Sequence, residues 1–215
     1  MVDVNERLME AAKAGAEVEL KALLLAPGCD ALSKDADGMT VLMHAAYRGH
    51  EECVRILLPV SAPLAKSQNG KTAMMLAARH GGEACVGLLL PVSDALAKSD
   101  NGWTALMYAA RYGDEGCVRL LLAVSDALDK SEDGTTALMY AAWSGHEGCV
   151  RLLLPVSDTL NKDTSGRTAS AWARFLGHES LSRFVEAHAL AQGELASIGD
   201  AAGPGAPPGH AALRM

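Results

Sequence analysis

The apolar residues of this chain fall into short groups with helical spacing, and the groups recur at a constant interval. Within residues 98–129, Ala109 and Ala110 follow Leu106 by three and four positions, which places all three on one face of a short helix over Ala105–Tyr112. A second group, Cys117, Val118, Leu121 and Leu122, repeats that spacing and predicts a second helix. The polar residues between the groups read as punctuation. Asn101-Gly102 is a tight-turn dipeptide, because both residues tolerate positive φ. Thr104 stands where an N-cap hydroxyl would accept an orphan amide, and Asp114 can cap the second helix in the same way. Gly113 suits the left-handed residue that ends a helix. A proline stands directly after the second apolar group at Pro59, Pro91 and Pro155, with Ala123 in its place here, and is expected to stop that helix. The predicted unit is a turn, a short helix, a second turn, a second helix and an extended return.

That unit repeats every 32 residues. Gly38, Gly70, Gly102, Gly134 and Gly166 keep the interval, as do Thr40, Thr72, Thr104, Thr136 and Thr168, Cys53, Cys85, Cys117 and Cys149, and Gly49, Gly81, Gly113, Gly145 and Gly177. A unit this small cannot bury its apolar face alone, so neighbours stack into one continuous core. The 215 residues therefore form one elongated domain rather than two globular ones.

Several fixed offsets resemble the ankyrin-repeat family. They are carried by TVLMHAAYRGH, TAMMLAARHGG, TALMYAARYGD and TALMYAAWSGH, each after its turn glycine, over about residues 5–189. The resemblance implies an all-α ankyrin-repeat solenoid of about six helix-turn-helix units with short β-turn fingers. The units run over about 5–34, 35–66, 67–98, 99–130, 131–162 and 163–190, together a solenoid over 1–190. The family's proline is Val41, Ala73, Ala105 or Ala137 here, and its histidine is Met43, Met75, Met107 or Met139. In the family that imidazole ties the turn to its own and neighbouring repeats. A thioether is expected to leave the tie to packing and to lower the stability of each repeat.

The last unit reads as a cap. At the 32-residue offset, Leu138, Ala142, Val150 and Leu154 give way to Ser170, Arg174, Ser182 and Glu186, which is what a wettable outer face requires. Residues 191–215, rich in Ala, Gly and Pro, are expected to be a disordered tail.

Composition narrows the function. A net charge of −7 argues against general nucleic-acid binding, and no apolar run approaches the ~18 residues of a membrane span. No secretory h-region precedes Glu10, so a cytoplasmic protein without a secretory signal is the expectation. Equivalent cysteines on stacked helices lie roughly 8–10 Å apart, beyond the about 7 Å a disulfide allows. His50 with Cys53 and His146 with Cys149 form His-x-x-Cys pairs, but Gly82 and Asp114 stand in the histidine position of the other units. Buried free thiols are the expected state, with no metal and no cofactor. No nucleophile, base and orienting acid share a pattern, and the glycines lie singly rather than in a phosphate loop.

The resemblance places partners against the concave face. By motif position these residues are Met39, Lys71, Trp103, Thr135 and Arg167 after the turn glycines, and Tyr47, Arg48, Arg79, His80, Arg111, Tyr112, Trp143 and Ser144 after the alanine pairs. Trp, Tyr and Arg dominate this set, as they dominate binding hot spots. His44, Tyr108, Tyr140 and Trp172 sit one turn inward and are expected to pack. The expectation is a monomeric, non-enzymatic scaffold or adaptor that binds one or more partner proteins. The alternative is a regulatory or targeting subunit of an enzyme system such as a kinase.

Overall fold

A computed structural model describes residues 3–191 and Gly193. Among these residues there are twelve α-helices in six successive pairs and no sheet. The pairs are α1 (Val4–Ala14) with α2 (Glu17–Leu24), α3 (Val41–Arg48) with α4 (Glu51–Leu57), and α5 (Ala73–Leu76) with α6 (Gly82–Leu89). Then follow α7 (Ala105–Tyr112) with α8 (Glu115–Leu122), α9 (Ala137–Ser144) with α10 (Glu147–Leu153), and α11 (Ala169–Phe175) with α12 (Glu179–Ala191). First helices pack on first helices and second helices on second helices, so the pairs make two layers. The all-α solenoid expected from the repeat is thus observed. The expected tail lies outside the described residues, except that Ala191 closes α12 and Gly193 is described.

From the second pair on, each first helix starts where a threonine caps it, while Asp3 caps α1. Thr40, Thr72, Thr104, Thr136 and Thr168 are extended, and each hydroxyl accepts the amide three residues on. The alanine pairs that follow, such as Ala109 and Ala110, are fully buried and let the two layers approach closely. Val54, Leu57, Val86, Leu89, Val118, Leu121, Val150 and Leu153 complete the core from the second layer.

The turns before the first helices form fingers that are stitched along the stack. Gln68 N donates to Asp37 O at 3.0 Å, Asp100 N to Asn69 O at 3.2 Å, Glu132 N to Asn101 O at 3.1 Å and Thr164 N to Asp133 O at 2.9 Å. Gly102 illustrates why glycine recurs there. Its φ is +75°, and a Cβ would stand 2.8 Å from the Glu132 amide nitrogen of the next finger.

Four expectations need correction. The prolines do not stop the second helices outright. Leu58–Val60, Leu90–Val92 and Leu154–Val156 tighten into one 3₁₀ turn with the proline in it, where its missing N–H costs nothing. The glycine series also breaks once. Gly49, Gly113, Gly145 and Gly177 are left-handed, but in the third pair the positive φ passes to Gly82, whose ψ of 176° is extended, and Ala77–Gly81 forms a π turn instead. With two consecutive glycines the positive φ can shift by one, and the extra residue is absorbed as a wider helical turn.

The methionine expectation fails in an instructive way. Met43 Sδ accepts the Thr40 amide at 3.4 Å, so a thioether does contribute a weak acceptor. More important, the tie to the finger has moved one residue on. His44 Nε2 donates to Asp35 at 2.7 Å, Tyr140 OH to Ser131 at 3.3 Å and Trp172 Nε1 to Asp163 at 2.9 Å. Tyr108 makes the same kind of bond to Ser99. The finger is therefore held by hydrogen bonding as well as packing. In the third pair Leu76 occupies this position and has no polar atom to offer. The last correction concerns the cap. Arg174 is exposed and ion-paired with Glu186, but Ser182 is fully buried, its hydroxyl toward Glu186, so it lines the core rather than wetting the outer face.

Candidate functional site

The last turn of each first helix carries two side chains that the core does not take. They are Tyr47 and Arg48 on α3, Arg79 and His80 beyond α5, Arg111 and Tyr112 on α7, and Trp143 and Ser144 on α9. Each is half-buried or exposed, in contrast to the buried alanines just before it. The ring precedes the cation in Tyr47-Arg48 and follows it in Arg79-His80 and Arg111-Tyr112, so cations and rings of successive pairs come into contact.

His80 sits between two tyrosines, with ring centroids 5.0 Å from Tyr47 and 5.0 Å from Tyr112. The Arg79 guanidinium lies 5.8 Å from the Tyr47 ring and 5.2 Å from the Tyr112 ring. Arg48 lies 5.9 Å from Tyr47. Further along, Arg111 stacks 3.6 Å from the Trp143 ring and donates from Nη1 to the Ser144 hydroxyl at 2.6 Å. These contacts make a continuous cation–π and aromatic ladder. Burial lowers the His80 pKa, and the Arg79 charge adds to the effect, so the ring is neutral near pH 7. Burial likewise lowers the pKa of Arg111. Lys71 is shifted down by burial first and by Arg79 second, which places Lys71 within the field of the same ladder.

The residues after the finger glycines behave differently. Met39 is half-buried against the core. Trp103 spans two pairs, with its ring 5.0 Å from Tyr108 and 4.0 Å from Tyr140. Most of its surface is engaged in holding neighbours together. Thr135 is buried and donates its amide to the Ser131 hydroxyl. The sequence set thus divides into a ladder (Tyr47, Arg48, Arg79, His80, Arg111, Tyr112, Trp143) and a finger row (Met39, Lys71, Trp103) that is mostly structural apart from Lys71.

Phe175 was missed as a member of the ladder, although it lies 32 residues after Trp143 and could have been found by that offset. Trp143 reaches Trp172 at 6.1 Å, Trp172 reaches Phe175 at 6.1 Å, and Arg167 lies 5.0 Å and 5.3 Å from the two outer rings. Trp172 both ties its finger and joins the ladder.

The second layer offers a different surface. Its arginines pair with glutamates one turn earlier: Arg55 with Glu51, Arg119 with Glu115 at 3.0 Å, and Arg151 with Glu147. The cysteines lie inside this layer as free thiols. Burial pushes Cys85 and Cys149 up to about 11, so neither is a nucleophile near neutral pH. Among the described residues no group of three or more His, Cys, Asp or Glu side chains comes together as a metal site. Among them, too, no helix is long and apolar enough to cross a membrane.

A protein-family model described as ankyrin repeats matches the chain in three copies, over residues 8–98, 91–164 and 129–189. A search of curated proteins finds no match.

Proposed function

The chain belongs to the ankyrin-repeat family, whose repeats are generally protein–protein interaction modules, and from that premise we propose that it is a non-enzymatic scaffold or adaptor. It binds a partner protein along the first-helix ladder, acts as a monomer and works in the cytoplasm. The observation that carries this reading is the ladder itself. Tyr112 is 41 % exposed, and its neighbours His80 and Arg48 are exposed, while nearby alanines and methionines are already sufficient to close the core. Large rings and guanidinium groups left at a surface are the residue types that carry binding energy. The buried thiols, with no disulfide among them, agree with a reducing compartment.

The test is site-specific photo-crosslinking in a native extract. A photoreactive side chain at Tyr112 should capture a discrete partner, and the same group at Arg119 on the second layer should not. Tyr112→Ala with Trp143→Ala should weaken capture by about 2 kcal/mol or more, the usual loss on truncating an aromatic anchor. Capture from Arg119 alone would move the partner to the opposite layer.

A further inference from the structure

We propose that the partner segment on the ladder is an extended, carboxylate-rich stretch of protein, held by the guanidinium groups of Arg48, Arg79 and Arg111. This rests on the reading of the ladder as the binding surface. The argument comes from how the chain distributes its arginines. It has an excess of acids, with 26 Asp and Glu against 19 Lys and Arg, so carboxylate partners are not scarce. On the second helices they are used: Arg55, Arg119 and Arg151 each hold a glutamate of the same helix.

On the first helices none of the three arginines has a carboxylate within ion-pair distance among the described residues. The residues four positions earlier are His44, Met75 and Met107, which face the core and leave no room for a glutamate. The neighbouring pairs supply rings rather than acids to two of them, Tyr47 and Tyr112 to Arg79 and Trp143 to Arg111, while Arg48 lies beside Tyr47 of its own helix. Arg79 Nε is buried without any hydrogen-bond partner. A cation near a helix C-terminus is favoured by the dipole, but the second-helix arginines are placed the same way and are still paired. Stacking on a ring fixes a guanidinium and reduces its hydration, and the N–H groups not already used (Arg111 gives one from Nη1 to Ser144, and Arg79 Nε is buried) remain for a carboxylate. Three such groups on successive pairs, with Lys71 close to Arg79, make a positive row in a negative protein.

The finger tips bound that row. Asp37, Asp100 and Glu132 are exposed there and would repel an acidic segment, which confines it to the ends of the first helices. Asp35 and Asp133 are engaged locally, by His44 and by Ser131. Electrostatic complementarity of this kind sets register and selects against wrong partners more than it adds raw affinity.

The test uses the full chain and a fluorescein-labelled oligoglutamate, read by anisotropy, beside an oligothymidylate of equal charge. Oligoglutamate should bind, and its affinity should fall steeply as salt shortens the Debye length to below about 8 Å. Arg48→Gln with Arg79→Gln and Arg111→Gln should weaken binding about tenfold or more, whereas Arg55→Gln with Arg119→Gln and Arg151→Gln should change it less than about threefold. Replacing the first three by lysine should restore most of the loss. Should the glutamine triple lose its helical signal, Arg48→Gln alone, at an exposed site, should still weaken binding measurably. No binding of oligoglutamate, equal losses in both triples, or tighter binding of oligothymidylate would each overturn the acidic-segment assignment. A photoreactive Tyr112 that still captures its partner in the glutamine triple would overturn it too, while leaving the ladder as the binding surface.

Discussion

The third and fifth helix pairs share most of their sequence yet close their turns differently. In the fifth, Gly145 is left-handed, the His178 ring of the next pair covers it, His146 covers Gly113 of the previous pair, and Tyr140 ties the finger through Ser131. In the third, Gly82 takes the positive φ, Leu76 replaces the tying aromatic, and Ala77–Gly81 opens into a π turn. Among the positions that differ, Leu76 stands for Tyr140 at the tie and Gly82 for His146 at the link. The turn closes differently at the link and at the tie, not in the apolar core. The core is equally buried in both: Met75 and Met139 are each 1 % exposed. The π turn also carries Arg79 and His80, the centre of the ladder.

The largest expected effect separates the two glycines. At Gly145 the φ is +76° and a Cβ would stand 2.6 Å from His178 Cε1, so Gly145→Ala adds a clash with a packed ring to backbone strain. A loss of about 2–4 kcal/mol is expected in urea unfolding. At Gly82 the φ is +73° but the nearest atom, on Asp114, is 4.0 Å away. Gly82→Ala meets no such clash and can pass the positive φ back to Gly81, so it should cost less than Gly145→Ala. Equal losses would mean that the ring contact does not matter.

Much of this was legible in advance, and the exceptions are physical. The 32-residue offsets specify caps, helix faces and finger glycines because each rests on a local rule: a threonine hydroxyl, a 3.6-residue period, a positive φ. They also specify which positions join the ladder. What they do not specify is which of two adjacent glycines takes the positive φ, since both permit it and the choice depends on what the next pair places above. The finger tie was misread for a similar reason. Met43 holds the family's histidine position, but the bond is made by His44, and only the spatial path of the side chain shows that a residue one step on reaches Asp35. Ser182 sits in the polar column of the cap, yet the backbone turns it inward.

The next effect concerns the link histidines. His50 Nε2 donates to the Lys13 carbonyl at 3.0 Å, and His146 bonds the Arg111 carbonyl while its ring packs on Gly113. His146→Ala should lose about 1–2 kcal/mol. The converse substitution, Gly82→His, disfavours the positive φ at that residue and should return it to Gly81. The π turn then reverts to an α turn, amide exchange over residues 77–81 slows, and stability rises by up to about 1 kcal/mol. A loss of stability on Gly82→His would show instead that packing demands the π turn. Between these in kind but smaller in size, Tyr140→Phe removes one hydrogen bond to the finger and should lose about 1 kcal/mol or less, leaving the fifth pair resembling the third in this respect.

The smallest effect is a pH dependence. His80 and His146 both titrate below 6.5, in each case chiefly because burial disfavours the imidazolium. His80 is further opposed by the positive charge of Arg79, and His146 by those of Arg111 and His178 against the favourable bond from the Arg111 carbonyl. A base whose folded pKa lies below its unfolded value makes the unfolded chain bind more protons. Stability then rises with pH, is fully present above about 6.5, and is lost as pH falls below it. Asp35 acts in a separate window. Burial raises its pKa, but the Met39 amide, the His44 hydrogen bond and charge, and the Asp37 amide together hold it below 3.8, so its contribution is present above that value and lost only at lower pH. Urea midpoints measured between about pH 7.5 and 5 therefore cover the window of His80 and His146 and lie above that of Asp35. His80→Gln should flatten part of that slope, and His146→Gln a further part. A midpoint that holds steady or rises on acidification would show that neither ring is held neutral by the stack, and would leave the third and fifth pairs indistinguishable by titration.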